Sequence, residues 1–295
     1  MPAAATPSSA VAAAVAVARA HGLRVTEPRV LRERLNVLVH LRPTPVLARV
    51  AGTIADVRKG DEWLRRELGV AAALAAAGAP AVAPSAELPP GPHRHDGHTL
   101  TFWTYVPGTG EPVDPAAAGA ALRDCHAALH DLGGSLPVLG HLTEAEALLA
   151  RLAAEGALDH ATADRLHERI EETSSLLRTL RAPVQVLHGD AHLGNVLGTP
   201  RGPLWNDWED TCLGPVHWDA ACLVAAARVS GRDVERAQAA LRATGIAVDP
   251  GELALYVDAR TLQGAIWAAF VERRHGRSGD TAARIEAAAR RHDGG

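Results

Sequence analysis

A chain of 295 residues, 47% hydrophobic and 22% charged, has enough apolar material for one large core or two smaller ones, which excludes a disordered polypeptide. Its formal net charge of −4 excludes a protein built to neutralise a nucleic-acid backbone. No apolar run approaches the ~20 residues a membrane-spanning helix needs, so neither nucleic acid nor membrane is expected as a partner.

From the N-terminus, SSAVAAAVAVARA reads as an Ala-rich surface helix over residues 8–21. It is not expected to be a signal segment, because no basic stretch precedes it and Arg19 interrupts its end. In NVLVHL, Val37, Val39 and Leu41 alternate with Asn36, Leu38 and His40, the period of a half-buried strand. RPTP turns the chain, and VLARV returns as the second arm of a hairpin. A helix is predicted over residues 61–77, with Asp61 as N-cap and Gly78 and Pro80 as its stop. After the proline-rich APSAELPPGPH, LTFWTYV is rich enough in aromatic and β-branched residues to form another strand.

At PGTGEPVDP the composition breaks, which divides the chain into lobes of residues 1–106 and 107–295. Beyond the break, Ala and Leu recur at helical spacing over 115–131, 143–154, 159–180, 217–229, 233–244, 251–274 and 279–292. The exception is VQVLHGDAHLGNVL and GPLWNDWED, strand-like pieces joined by the turn GTPRG. A strand-rich first lobe and a helical second lobe with one embedded hairpin is an α+β plan. The three cysteines, Cys125, Cys212 and Cys222, are odd in number and lack C-x-x-C spacing. They read as buried free thiols of a reducing, cytoplasmic compartment.

The densest chemistry lies in HGDAHLGN. Asp190 follows an apolar run and a glycine, so it emerges from a strand end into a loop. Asn195 follows five residues later, and Asp207 ends the return strand, so a hairpin would bring the two to neighbouring strand ends. An amide oxygen and a carboxylate there suit a hard cation such as Mg²⁺, which takes oxygen ligands and keeps several waters. Asp190 would stand beside them, able to accept a hydroxyl proton. This is the equipment of phosphoryl transfer. A binuclear metal reading of His188, Asp190 and His192 would need further ligands at later strand ends, and only His217 is offered there.

H-G-D-x-H-x-x-N followed by an Asp on the next strand resembles the aminoglycoside phosphotransferase and choline kinase-like family, whose fold is the two-lobed protein-kinase fold. NDWED looks like that family's metal-binding D-F-G, and GPVHWDAACL like its G-D-P-x-x-D-L-A, with Asp219 bracing the catalytic loop. The resemblance implies nucleotide contacts at Asn36 and Arg49, with Glu67 of LRREL as the partner of Arg49. It further implies a hinge at Thr104, Tyr105 and Val106 whose backbone meets the purine. The activity implied is a nucleotide- and Mg²⁺-dependent small-molecule kinase, moving the terminal phosphoryl group of ATP or GTP to a hydroxyl acceptor. Asp190 would be the base, and Asn195 and Asp207 would hold the metal.

Two departures from the family pattern bear on this. RERLNVLVH contains no glycine, so the glycine-rich phosphate loop is missing, and Arg49 stands where many kinases use Lys. Lys59 is the chain's only lysine and the next candidate for the phosphate contact. The alternative is an inactive kinase-like fold that binds a nucleotide or metabolite for regulation. The acceptor's walls are expected in the segment carrying Glu209 and Asp210 and in the helix carrying Glu252, Asp258, Arg260 and Gln263. An acidic lining would favour an amine-bearing alcohol; neutral polyols stay open if Arg260 neutralises Asp258.

Overall fold

A computed structural model of the chain describes residues 7–33, 35–179, 182–230 and 233–274. The chain splits into two compact units, Met1–Val113 with Val196–Glu209, and Asp114–Asn195 with Asp210–Gly295. The helix expected over 279–292 lies outside the described residues.

The first unit opens with helix α1 (Pro7–Ala20), followed by strands β1 (Glu27–Glu33), β2 (Asn36–Arg42) and β3 (Val46–Ala51). Next come the short α2 (Ile54–Val57), α3 (Glu62–Ala76), β4 (His93–His95) and β5 (His98–Thr104). The strands form one antiparallel sheet in the order β1-β2-β3-β5-β4. On β2, Val37, Val39 and Leu41 are buried and their neighbours are not, as the alternation requires. Ala10, Ala14 and Ala18 of α1 pack on that face with Val46, Ala48, Val50, Leu100 and Phe102. Small side chains let the helix backbone approach the sheet closely, so this Ala-rich helix covers the core.

The expected hairpin is therefore the middle of a five-stranded sheet. Strand β1 carries no apolar alternation because, apart from Pro28, its residues are exposed, which hides it from a periodicity reading. Asp61 stands at the N-cap of α3, but its side chain makes no cap bond and lies 3.1 Å from Arg65 and 3.8 Å from Arg94. Gly78, at φ +67°, ends the helix, and the Ala79 N–H donates to the Leu74 carbonyl.

In the second unit, α4 (Pro115–Leu129), α5 (Gly140–Ala154) and α6 (His160–Thr179) lead to strand β6 (Val184–Leu187). Asp114 caps α4 by accepting from the N–H groups of Ala116 and Ala117, with Pro115 in the first turn. The embedded hairpin, β7 (Val196–Thr199) and β8 (Gly202–Trp205), belongs to the first unit. There Leu197 and Leu204 pack against Leu68, Val82 and Trp103, and Val82 N–H donates to the Trp205 carbonyl at 2.8 Å. The chain then returns to the second unit with β9 (Cys212–Pro215), paired antiparallel with β6, and with α7 (Val216–Ser230), α8 (Val234–Thr244) and α9 (Pro250–Arg274). Gly119 sets the contact of α4 with α8: a Cβ there would lie 2.0 Å from the Ala240 carbonyl oxygen. The three cysteines are free and buried, and burial pushes the Cys125 thiol up to about 12. Among the described residues no helix is long and apolar enough to cross a membrane.

Candidate active site

In the first unit the site grows from one cation. Arg49 points off β3 and is 6% exposed, so its charge must be matched in place. Its Nη2 donates to Oε2 of Glu67 on α3, its Nη1 donates to Oδ1 of Asp207 at 2.9 Å, and Oε2 of Glu209 lies 3.3 Å from Nη1. The guanidinium also stands 5.7 Å from the Trp63 ring centroid and 5.8 Å from that of Trp103, within cation–π range. Burial works against the charge on Arg49, but Glu67, Glu209 and Asp207 outweigh it and raise its pKa. Burial, with repulsion from Glu209 and Asp207, raises the pKa of Glu67 and pulls the other way. A guanidinium keeps its proton in any protein environment, so we read the pair from Arg49: charged, with Glu67 as counter-ion.

Three carboxylates meet on one guanidinium beside a cavity of about 110 Å³, whose lining also holds Arg32. Its apolar side is Leu38, Leu47, Val82 and Trp103; Asn36, Arg49, Glu67, Asp207 and Glu209 make the polar side. Asn36 Nδ2 donates to Glu209 Oε2 at 3.3 Å, which leaves Asn36 Oδ1 buried with no hydrogen-bond partner. An orphaned buried acceptor marks a place for a donor or a cation. Asp207 adopts φ +66°, a left-handed conformation rare for a residue with a Cβ and common at functional positions.

The expected hinge lies at the end of β5. Thr104 N–H donates to the Ala83 carbonyl at 3.0 Å, and Tyr105 N–H to the Pro45 carbonyl at 2.8 Å. The Tyr105 ring stacks on His40, with centroids 3.5 Å apart. The cavity lining includes Trp103 and none of Thr104, Tyr105 and Val106. Lys59 is exposed and donates to the Ala55 carbonyl, away from the cavity. Arg32 and Glu209, which the reading of the sequence left out of the nucleotide contacts, line it. Arg58 also joins the network, donating to the Glu209 carbonyl at 3.1 Å.

In the second unit the loop after β6 is held from beneath. Asp219, at the start of α7, is fully buried; it accepts from the N–H groups of His188 and Gly189, each at 2.9 Å, and pairs with His126 Nε2 at 2.8 Å. Burial would raise the pKa of Asp219, but the hydrogen bond and charge of His126 outweigh it and lower the value. Gly189 sits at φ +88°, its carbonyl accepts from Trp218 Nε1 at 2.8 Å, and a Cβ there would lie 2.0 Å from the Asp210 carbonyl oxygen. No other residue fits that backbone, which is why the loop reads His-Gly-Asp. His188, wholly buried, accepts the Asp190 N–H on its Nδ1 at 3.3 Å and so acts as a brace.

The loop presents Asp190 with Asn195 behind it: Asn195 Nδ2 donates to the Asp190 carbonyl at 3.0 Å and to Oδ2 at 3.3 Å. Of the Asn195 amide, Oδ1 is the atom that a hard cation would take. Arg260 of α9 donates to Asp190 Oδ1, and His192 Nε2 lies 3.3 Å from Oδ2. Burial favours the neutral acid, yet Arg260 and His192 hold the Asp190 carboxyl well below the usual range. The partners described for Arg260 are thus Asp190 and Gln263 rather than Asp258. Glu209, expected at the acceptor wall, turns instead to Arg49 and Asn36. Asn195 and Asp207 fall in different units, and hairpin register pairs the residue after Asn195, Val196, with Trp205.

A strand-rich part with a buried Arg–Glu pair and a helical part with a braced His-Gly-Asp loop define an α+β fold of the protein-kinase-like class. The chain matches the phosphotransferase enzyme family over residues 56–256 and belongs to that family. Among solved structures it resembles amicoumacin kinase hAmiN in complex with AMP-PNP, Ca²⁺ and Ami, with TM-score 0.71 and 14% identity over 94% of this chain and 91% of that one. It is also similar to choline kinase LicA from Streptococcus pneumoniae, with TM-score 0.67 and 15% identity over 94% and 97% of the two chains. The GDP and kanamycin complex of APH(2")-IIia gives 0.64 and 14% over 93% and 96%. At such identities the likeness carries the fold and leaves the substrate open. No curated protein matches the chain.

Proposed function

We propose that this protein is a kinase that moves the terminal phosphoryl group of ATP or GTP to a hydroxyl of a small molecule. The observation that carries the reading is the cluster of Arg49, Glu67, Asp207 and Glu209 beside an apolar slot, which suits a polyphosphate with its cation. In this reading residues 1–106 bind the nucleotide, through Arg49 positioned by Glu67, through Asn36, and through the backbone of Thr104, Tyr105 and Val106. Residues 107–295 supply Asp190 and the acceptor site. The nucleotides named with the similar structures, AMP-PNP and GDP, support a nucleotide as donor.

Asn195 Oδ1 and the Asp207 carboxylate would hold Mg²⁺, an oxygen pair of the right hardness. When bound, the ion neutralises phosphate charge. Asp190 is held ionised by Arg260, so it acts first by orienting the acceptor hydroxyl. The acceptor oxygen bonds to the γ-phosphorus as the bond to the bridging oxygen breaks. The nucleoside diphosphate leaves with that electron pair, and the hydroxyl proton passes to Asp190 and then to water. The reading includes a cytoplasmic location, where nucleoside triphosphate is abundant and the three free thiols stay reduced. It includes neither a nucleic acid nor a membrane as partner.

A regulatory binder without catalysis is the second reading, favoured by Arg260 on Asp190 and by the missing glycine loop. The deciding experiment measures nucleoside diphosphate release with Mg²⁺ or with chelator, across a panel of hydroxyl acceptors. Acceptor-dependent, Mg²⁺-dependent release that Asp190→Asn removes is the expected result. Mg²⁺-dependent nucleotide binding with no transfer to any acceptor would establish the binder instead.

A further inference from the structure

Both oxygens of the Asp190 carboxylate are engaged before any acceptor arrives. Oδ2 accepts from Asn195 Nδ2 and faces His192; Oδ1 accepts from Nη2 of Arg260, 70 residues further along the chain. The second nitrogen of Arg260 donates to Gln263 Oε1 at 2.5 Å, one turn further along α9, which fixes the plane of the fork. The side chains of Arg260 and Asp190 keep 20% and 22% exposure, so a solute reaches the pair.

This contact places a cation beside the atom that an acceptor hydroxyl must reach. Each carboxylate oxygen accepts two hydrogen bonds, so a hydroxyl can add to Oδ1 while Arg260 stays, and the rest of the acceptor then lies against the guanidinium. An acceptor with its own anion gains from that position, since the anion takes spare donors of the guanidinium while the hydroxyl takes Oδ1. The guanidinium has five N–H donors in a planar fork that matches a carboxylate, and Asp190 and Gln263 use only part of them.

We propose that the acceptor is a hydroxy acid whose carboxylate docks on Arg260 and whose hydroxyl is thereby delivered to Asp190. The proposal rests on the kinase reading and names its substrate class. Two hydrogen bonds of ordinary length, with the Arg260–Asp190 contact between them, confine the carboxylate and the reacting hydroxyl to within about 9 Å of one another, so they belong to one small molecule.

The test pairs acceptors that differ only in charge, such as glycerate with glyceramide and 4-hydroxybutyrate with its amide, at saturating Mg²⁺ and nucleotide. The acid of a productive pair is expected to have a kcat/KM on the order of 100-fold higher than its amide, mostly through KM. Arg260→Gln should cut that preference below about 10-fold, and Arg260→Lys, which keeps the charge without the fork, should fall between. Arg260→Lys also covers the case in which Arg260→Gln fails to fold. Equal use of acid and amide by the wild type overturns the proposal and leaves the kinase reading standing. So does a loss of kcat in Arg260→Gln that is the same for both, which would make Arg260 a phosphoryl clamp. Calorimetry separates the remaining case: Arg260-dependent binding of the acids without transfer supports the ligand class and sinks the kinase reading. A panel in which no acid binds or reacts overturns the proposal.

Discussion

Each unit buries one arginine among acids, and the two settle its charge differently. Around Arg49 stand Glu67, Asp207 and Glu209, three carboxylates to one guanidinium, in a place 6% exposed. Around Arg260 the direct acid partner is Asp190, with Gln263 completing the fork, and the pair remains open to solutes. The first crowds three carboxylates round one guanidinium. The second matches one carboxylate with one guanidinium and leaves both within reach of a solute. On the proposed reading, the first unit would take the metal-bound polyphosphate and the second the acceptor.

The largest effect should come from breaking the balanced pair on its acid side. Asp190→Asn is expected to lower turnover by ~10²–10⁴-fold while nucleotide affinity stays within about twofold, read by initial rates and by calorimetry. Unchanged turnover would remove Asp190 from the chemistry. Next comes the crowded cluster: Arg49→Ala leaves buried carboxylates facing one another and should cost about 3–5 kcal/mol in urea unfolding. Glu67→Ala should raise the nucleotide Kd, and a double-mutant cycle with Arg49→Lys should show coupling above about 0.5 kcal/mol. Additive effects would make the pair purely structural.

A smaller effect tests the loop beneath Asp190. Gly189→Ala puts a Cβ 2.0 Å from the Asp210 carbonyl oxygen at φ +88°, so a loss of about 1–3 kcal/mol is expected from backbone strain alone. Full stability in that variant would mean that the loop relaxes. The smallest effect is acid titration of Asp219. Its folded pKa lies below the ordinary value, so its contribution is whole above about pH 4, the unfolded value, and is lost as pH falls through the folded one. Asp219→Asn should therefore flatten the acid limb of stability against pH; an unaltered limb would assign that limb to other carboxylates.

Much of this was legible in the residues because it is local. The β2 alternation, the helix expected from 115 and the spacing of His188, Asp190 and Asn195 each concern residues that chain geometry alone keeps near one another. The sequence also suggests Arg49 with Glu67, through a strand and the helix that follows it. By contrast, β1 is invisible to periodicity, since exposure on both sides removes the selection for alternation. Asp61 occupies a cap position without making the cap bond, because Arg65 and Arg94 offer its carboxylate charged partners.

By itself, then, the sequence determined the α+β class, the helix spans among the described residues of the second unit and the loop that carries Asp190, since each follows from short-range spacing. Only the tertiary structure decided which charges meet. Glu209 reaches Arg49 and Asn36 across more than 150 residues, and Arg260 reaches Asp190 across 70. The physical reason is that a charge is neutralised by whatever folding brings within a few ångströms of it. Spacing along the chain carries no record of that once the partners lie on separate elements.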